Sequence, residues 1–216
     1  MKPFELTLGT HNAKKRRELE LLLKPHSVKL RSLADIDNAI EVDETGTSFK
    51  ENAVLKAREQ AMHLGCWVLG EDSGLSVEAL DGAPGIYSAR FSGNDANDQT
   101  NNALLLEKLK DVPAANRTAW YTCHMALSDP KGKIHINCEA RCCGVILKKE
   151  FGDAGFGYDP LFLIPEYSMT FGQLGDTFKS LISHRARANR QFVPRLLDVI
   201  ARQSCDEAVI KTLGIN

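Results

Sequence analysis

Five short stretches carry residue types that could do chemistry together. Glu71-Asp72-Ser73-Gly74 sets two carboxylates and a hydroxyl between an apolar run and a glycine. Acidic residues at a strand's end in an open α/β sheet lie where such sheets bind ligands. Carboxylates are also natural ligands of magnesium, which keeps waters and bridges phosphates. Glu41, Asp43 and Glu44 form a second acidic group upstream, although two solvated acidic turns would have the same composition. Thr10-His11-Asn12-Ala13-Lys14-Lys15 follows an apolar stretch and opens a helical pattern. Free N–H groups and the helix dipole attract phosphate there, and Lys14 and Lys15 add charge; a capped helix start with solvated lysines looks alike. Phe156-Gly157-Tyr158-Asp159-Pro160 offers aromatic faces for a base and a carboxylate for a ring N–H, or a turn whose rings enter the core. Ser183-His184-Arg185, with Lys179 before it, offers donors to carbonyl or phosphate oxygens, or a helix N-cap among surface charges. Ser183 and His184 are adjacent on one turn and do not face each other, which argues against a nucleophile–base pair. GxxxxGK[ST], GxGxxG after a strand, HExxH and GxSxG are all missing, so any nucleotide is bound by another device.

These residues need elements to position them. Residues 4–9 read as a strand, 14–23 as a helix with Leu19, Leu22 and Leu23 on one face, and 28–33 as a second strand. Thr47 or Ser48 can cap a long helix running to about Leu64, with Phe49, Ala53, Ala57, Ala61 and Leu64 as its apolar face and Asn52 and Lys56 elsewhere. Residues 66–70 form a buried strand that 75–80 either continue or pair with. Residues 81–93 are rich in Gly, Pro and Ser and predict a loop, and 98–109 predict a helix. Two alternating stretches, 117–127 and 133–148, flank a hairpin turn at 128–132. Residues 161–164 are a further strand, and Ser183 can cap a last helix. Helices alternating with strands, then an antiparallel hairpin, predict an α/β fold with a mixed sheet. Glu71 and Asp72, neighbours on an extended segment, should point to opposite sides.

The 216 residues are 43% hydrophobic and 25% charged, ordinary for a globular chain with a sizeable core. The net charge of −1 argues against a grip on nucleic acid, which needs a basic excess, but leaves room for a small anion. No apolar run approaches a membrane span, and the first ten residues lack a signal peptide's apolar core. The expectation is therefore a cytoplasmic protein without membrane attachment. Six cysteines fit neither a CxxC pair nor a zinc set.

The order of the motifs is more specific than any one of them. Thr10–Lys15, Glu44-Thr45-Gly46, residues 49–57, Glu71–Leu75, Gly82–Arg90, Gly155–Pro160 and Ser183–Arg185 together resemble the inosine triphosphate pyrophosphatase family, also described as dITP/XTP pyrophosphatases, from about Phe4 to about Ala201. The resemblance implies a two-lobed α/β protein, residues 1–203, with a nucleotide cleft between the lobes; residues 204–216 are a tail with no assigned role. It implies hydrolysis of deaminated purine nucleoside triphosphates to monophosphate and pyrophosphate, a magnesium ion (or manganese), and a homodimer. Asp72 matches the catalytic acidic residue and metal ligand, and Glu44 the second metal-site residue. Thr10, His11, Asn12, Ala13, Lys14, Lys15 and Ser73 match phosphate-binding positions, with Lys56 as helper. Phe156, Gly157, Tyr158, Asp159, Lys179, His184 and Arg185 match base and phosphate contacts. Glu71 stands where many relatives have aspartate, and its role is open. Residues 82–93 read as support for the cleft wall or the dimer interface.

Overall fold

The structure, a computed structural model, describes residues 3–10 and 13–213, with side chains described for all of these but 13, 14 and 206–213. One mixed sheet organises the chain. Its strands are β1 (Phe4–Leu8), β2 (Val28–Ser32), β3 (Val68–Val77), β4 (Thr118–Ser128), β5 (Ile134–Ile146), β6 (Phe162–Ile164) and β7 (Met169–Thr170), in the order β2-β1-β3-β4-β5-β6-β7. β2, β1 and β3 run parallel, and every later pairing is antiparallel. The helices are α1 (Ala13–Leu23), α2 (Phe49–Leu64), α3 (Asp98–Lys108), α4 (Phe171–Ile182) and α5 (His184–Leu213). The mixed-sheet α/β expectation is borne out.

Beyond Leu69 the two halves of the sheet part. β1 pairs with β3 only at Thr7↔Val68 and Leu8↔Leu69, whereas β3 follows β4 for ten residues, to Val77↔Ala119. Among the described residues no strand takes the β1 edge of β3 past Leu69. Its far end is closed by the segment after β3: the Val77 N–H donates to Ala83 O at 3.1 Å and the Leu75 N–H to Ser88 Oγ at 2.9 Å. The stretch between faces an opening at the carboxyl end of β1, where open α/β sheets bind ligands.

One face of the sheet carries two apolar clusters. Leu6, Leu8, Leu69, Met125, Phe192 and Leu196 build the first, and Leu75, Leu105, Tyr121, Phe162 and Phe171 the second. Each fully buried Phe or Leu side chain contributes roughly 1.5–3 kcal/mol. On β3, Leu69 belongs to one cluster and Leu75 to the other, and the same-face residues between them are Glu71 and Ser73. The opposite face is covered by α2. Ser48 caps that helix by accepting from the Glu51 N–H at 3.2 Å, and Ala53, Ala57 and Ala61 are fully buried. Small residues let the helix lie directly on the strand. A Cβ on Gly70 would fall 2.6 Å from the Ala57 backbone nitrogen, so only glycine allows this approach.

Two expectations need correction. One unbroken strand runs from Val68 to Val77, so of the two alternatives the segment from Leu75 continues the strand as far as Val77, with 78–80 turning off in a short 3-10 helix; Glu71-Asp72 lie within the strand rather than at its end before a turn. The acidic pair reads as a break because carboxylates are rarely buried; here each has cationic partners. Helix α4 was not expected, yet Thr170 and Gln173 form a capping box at its start, and that signal stands in the sequence. Its kink at Gly175, φ 74°, interrupts the apolar periodicity that would have marked it. α5 runs through the 203/204 boundary to Leu213.

Candidate active site

Alternation along β3 sends its two central carboxylates apart. Asp72 points to the α2 side. Lys56 Nζ donates to its Oδ1 at 2.9 Å, and Asn52 Nδ2 lies 3.4 Å from its Oδ2. Lys56 also reaches Glu44 Oε1, at 3.1 Å, so one ammonium bridges both carboxylates. Asn52 and Lys56 stand four apart on α2 and thus share a helix face. Burial pushes the Asp72 carboxyl up against the pull of Lys56. Burial also opposes charge on Lys56, but Asp72 and Glu44 outweigh it and hold the ammonium above the usual lysine range.

Glu71 points to the other side, where Lys15 Nζ and Arg185 Nε approach the same oxygen, Oε1, at 3.0 and 2.9 Å. Its side chain is 2% exposed. Burial opposes its ionisation, but Arg185 and then Lys15 win, holding the carboxyl well below the usual range. Ser73 shares this face, 3.5 Å from Arg185 Nη2, and Glu18 lies 3.6 Å from Arg185 Nη1.

Two hollows border these residues. The larger, about 570 Å³, is lined by Thr10, Lys15, Glu44, Lys56 and Glu71 among others. Thr10 follows β1, and α1 opens at Ala13 and Lys14, so the start of that helix faces the same end of the sheet; His11 and Asn12 lie outside the described residues. The smaller hollow, about 170 Å³, is lined by Ser73, Tyr121, Phe156, Lys179, His184 and Arg185 among others. Phe156 is 40% exposed, with Lys179 Nζ 3.9 Å from its ring centroid. Lys179 also pairs with buried Asp159; burial pushes Asp159 up and Lys179 down. Tyr158 packs into the second apolar cluster and donates its hydroxyl to Ser88 O at 2.8 Å, so it anchors the loop by its body. His184 stacks on Tyr121 at 4.8 Å, and burial depresses it well below the usual imidazole range, leaving it neutral. Two buried polar atoms at this end, Asp159 Oδ1 and His184 Nδ1, have no hydrogen-bond partner.

Several supporting residues escaped the sequence reading. Asp98 accepts from the Gly157 N–H at 2.7 Å, and Asn102 donates to Gly157 O at 3.2 Å, so the start of α3 shapes the aromatic loop. Gly155, at φ 85°, has no room for a Cβ against the Asp159 carboxylate. His124 stands across from Asp72 on β4, in contact with Asn137. No local signal marks Asp98, Asn102 or His124, because their partners are distant in sequence. Asn52 was readable from its four-residue spacing to Lys56.

A hard divalent cation fits the Asp72 side. Two oxygen donors already converge on a cation there, the Lys56 ammonium. Magnesium takes one or two carboxylates and completes its shell with water and substrate phosphates, and Asp72 and Glu44 supply two; among the described residues no three His, Cys, Asp or Glu side chains gather for a metal.

Fold and site together define an α/β protein with a cation-lined cleft where the parallel half of its sheet stops. The chain belongs to the Ham1 family, whose model matches residues 6–195. It is 52% identical over 201 residues to the dITP/XTP pyrophosphatase of Rhodopirellula baltica, covering 93% of this chain and 97% of that one. It is 47% identical to the dITP/XTP pyrophosphatase of Desulforamulus reducens, over 86% and 92% of the two chains. Among solved structures it resembles a HAM1 protein from Coxiella burnetii, with 33% identity, a TM-score of 0.85, and 90% and 99% of the chains covered. The family resemblance read from the motifs is thereby borne out.

Proposed function

We propose that this chain hydrolyses deaminated purine nucleoside triphosphates, ITP and dITP or XTP and dXTP, to the monophosphate and pyrophosphate, and so removes them before incorporation into DNA or RNA. The observation that carries the reading is near-full-length similarity to proteins named dITP/XTP pyrophosphatase, in a chain whose Asp72 and Glu44 share the Lys56 ammonium beside the cleft that Glu44 and Lys56 line.

The triphosphate repels nucleophiles until its charge is offset. Lys15, Lys56 and the start of α1, with Thr10 through Lys14, supply that offset, and Ser73 adds a hydroxyl. Asp72 and Glu44 would hold magnesium (or manganese), which when bound supplies further charge neutralisation at the phosphates. Asp72 accepts the proton of the attacking water as its oxygen bonds to the α-phosphorus. The α–β bridging oxygen then leaves with pyrophosphate. A carboxyl raised by burial is a stronger base than an ordinary one.

Base choice falls to the other hollow. Hypoxanthine and xanthine carry an acceptor at C6 and a proton on N1, and adenine reverses both. Lys179, Arg185 and His184 supply donors, Asp159 an acceptor, and Phe156 a stacking face; Gly157 and Tyr158 set the loop. Each mismatched buried group costs about 1–3 kcal/mol, so several together reach roughly 10³-fold discrimination.

Residues 1–203 act as one two-lobed unit in this reading, with the cleft between lobes built on the two apolar clusters. The cytoplasm is its compartment; among the described residues no helix is long and apolar enough to cross a membrane. A second copy of the chain is its partner, and the open groove beside Tyr87, Trp120 and Arg141 is where it would dock.

The test is pyrophosphate release from ITP, XTP, GTP and ATP, with and without magnesium. The expected result is kcat/KM for ITP or XTP far above ATP and GTP, and loss of turnover with chelator. Equal rates on all four would overturn the reading, and light scattering reads the oligomer.

A further inference from the structure

We infer that Glu71 is a positioning residue that ties the phosphate end of the cleft to its base end, and that it takes no part in holding the metal or breaking the bond. The inference rests on the function proposed above. Glu71 and Asp72 are adjacent, both buried, and on opposite faces of β3. The Asp72 carboxylate shares a cation with Glu44. Glu71 instead uses a single oxygen for two cations that come from opposite ends of the chain. Lys15 arrives on α1 and Arg185 in the first turn of α5, at 3.0 and 2.9 Å.

Each cation lines a different hollow: Lys15 the larger, Arg185 the smaller. Glu71 thus touches both cations. Without it, two positive side chains would face each other across a buried seam, and the shared contact that sets their separation would be lost. With it, a phosphate that engages Lys15 and a base that engages Arg185 meet arms already set at a fixed separation, which lowers the cost of ordering them on binding. Glutamate suits this place because its extra methylene, relative to aspartate, carries the oxygen further from the strand toward both helices. If the Glu71 charge is removed, Arg185 has Glu18 as its nearest remaining acidic partner, at 3.6 Å. The guanidinium then swings toward α1 and away from the base.

The role acts on binding and base choice, so its signature differs from that of a catalytic group. Glu71→Gln should raise KM for ITP about 10- to 100-fold, the effect of losing a charged hydrogen bond, with kcat changed by less than about threefold. The ITP/ATP ratio of kcat/KM should fall with it, because Arg185 no longer holds its place. Glu71→Asp keeps the charge on a shorter arm and should show the same signature to a smaller degree, roughly 3- to 10-fold in KM. Thermal melts establish that the variants are folded; if Glu71→Gln is not, the aspartate variant carries the test. A loss of kcat with KM and selectivity unchanged would make Glu71 a catalytic group or metal ligand and overturn the inference, as would wild-type kinetics in both variants. Wild-type protein that releases no pyrophosphate from ITP overturns the proposed function and this inference together; active wild-type protein without the signature overturns the inference alone.

Discussion

The two faces of β3 put adjacent carboxylates to opposite uses. On the α2 side, Asp72 meets a lysine it shares with Glu44, and burial raises its carboxyl. On the other side, Glu71 meets a lysine and an arginine, which hold its carboxyl far below the usual range despite burial. One carboxylate is brought closer to taking a proton and the other is held further from it. Chemical type and position along the chain are almost the same; the number and identity of cations brought to each face make the difference.

The comparison can be broken most sharply at Asp72. Asp72→Asn should lower kcat on ITP about 10²- to 10⁴-fold, the range for losing a general base, with the melting temperature retained. Near-normal turnover would remove Asp72 from the mechanism and erase the contrast with Glu71. Lys56→Met comes next. It strips the cation from both Asp72 and Glu44 and should cost roughly 10- to 100-fold in kcat/KM, as expected for a charged contact to phosphate, read in the same assay. Asn52→Ala removes a weaker contact to Asp72 and should cost only about three- to tenfold in kcat. An effect as large as that of Asp72→Asn would show that the orientation of Asp72, and not its basicity, limits the rate.

The Glu71 side is also open to a test by pH. His184 stays neutral when folded because burial, and then Arg185 and Lys179, depress it well below 6.5. The unfolded chain takes up that proton below its ordinary value of about 6.5, and the folded chain does not. Stability should therefore fall as pH drops below about 6.5. His184→Gln should flatten this part of the melting-temperature profile; an unchanged slope would assign acid sensitivity elsewhere. The smallest effect is expected at the helix that serves Asp72. Ser48→Ala removes the α2 cap and should cost about 1 kcal/mol in urea unfolding, with little change in kcat.

Local physics made the helix caps, the hairpin, the glycine-rich loop and the motif order legible from the residues themselves. Ser48 and the alternation of β5 are decided within a few residues, by hydrogen bonds and side-chain period that any neighbouring fold must respect. The opposite orientation of Glu71 and Asp72 was legible for the same reason. Other features depend on partners far along the chain. That β3 runs on through two acidic residues follows only once Lys15, Lys56 and Arg185 are in place, since burying those carboxylates unpaired would forbid it. That Tyr158 belongs to the core while Phe156 keeps its face open depends on α3 and Ser88. That Lys15 and Arg185 share one oxygen is a property of the packed sheet. Sequence alone determined which residues were chemically able; tertiary structure decided which charges each of them would face, because that depends on distances between segments the local chain does not encode.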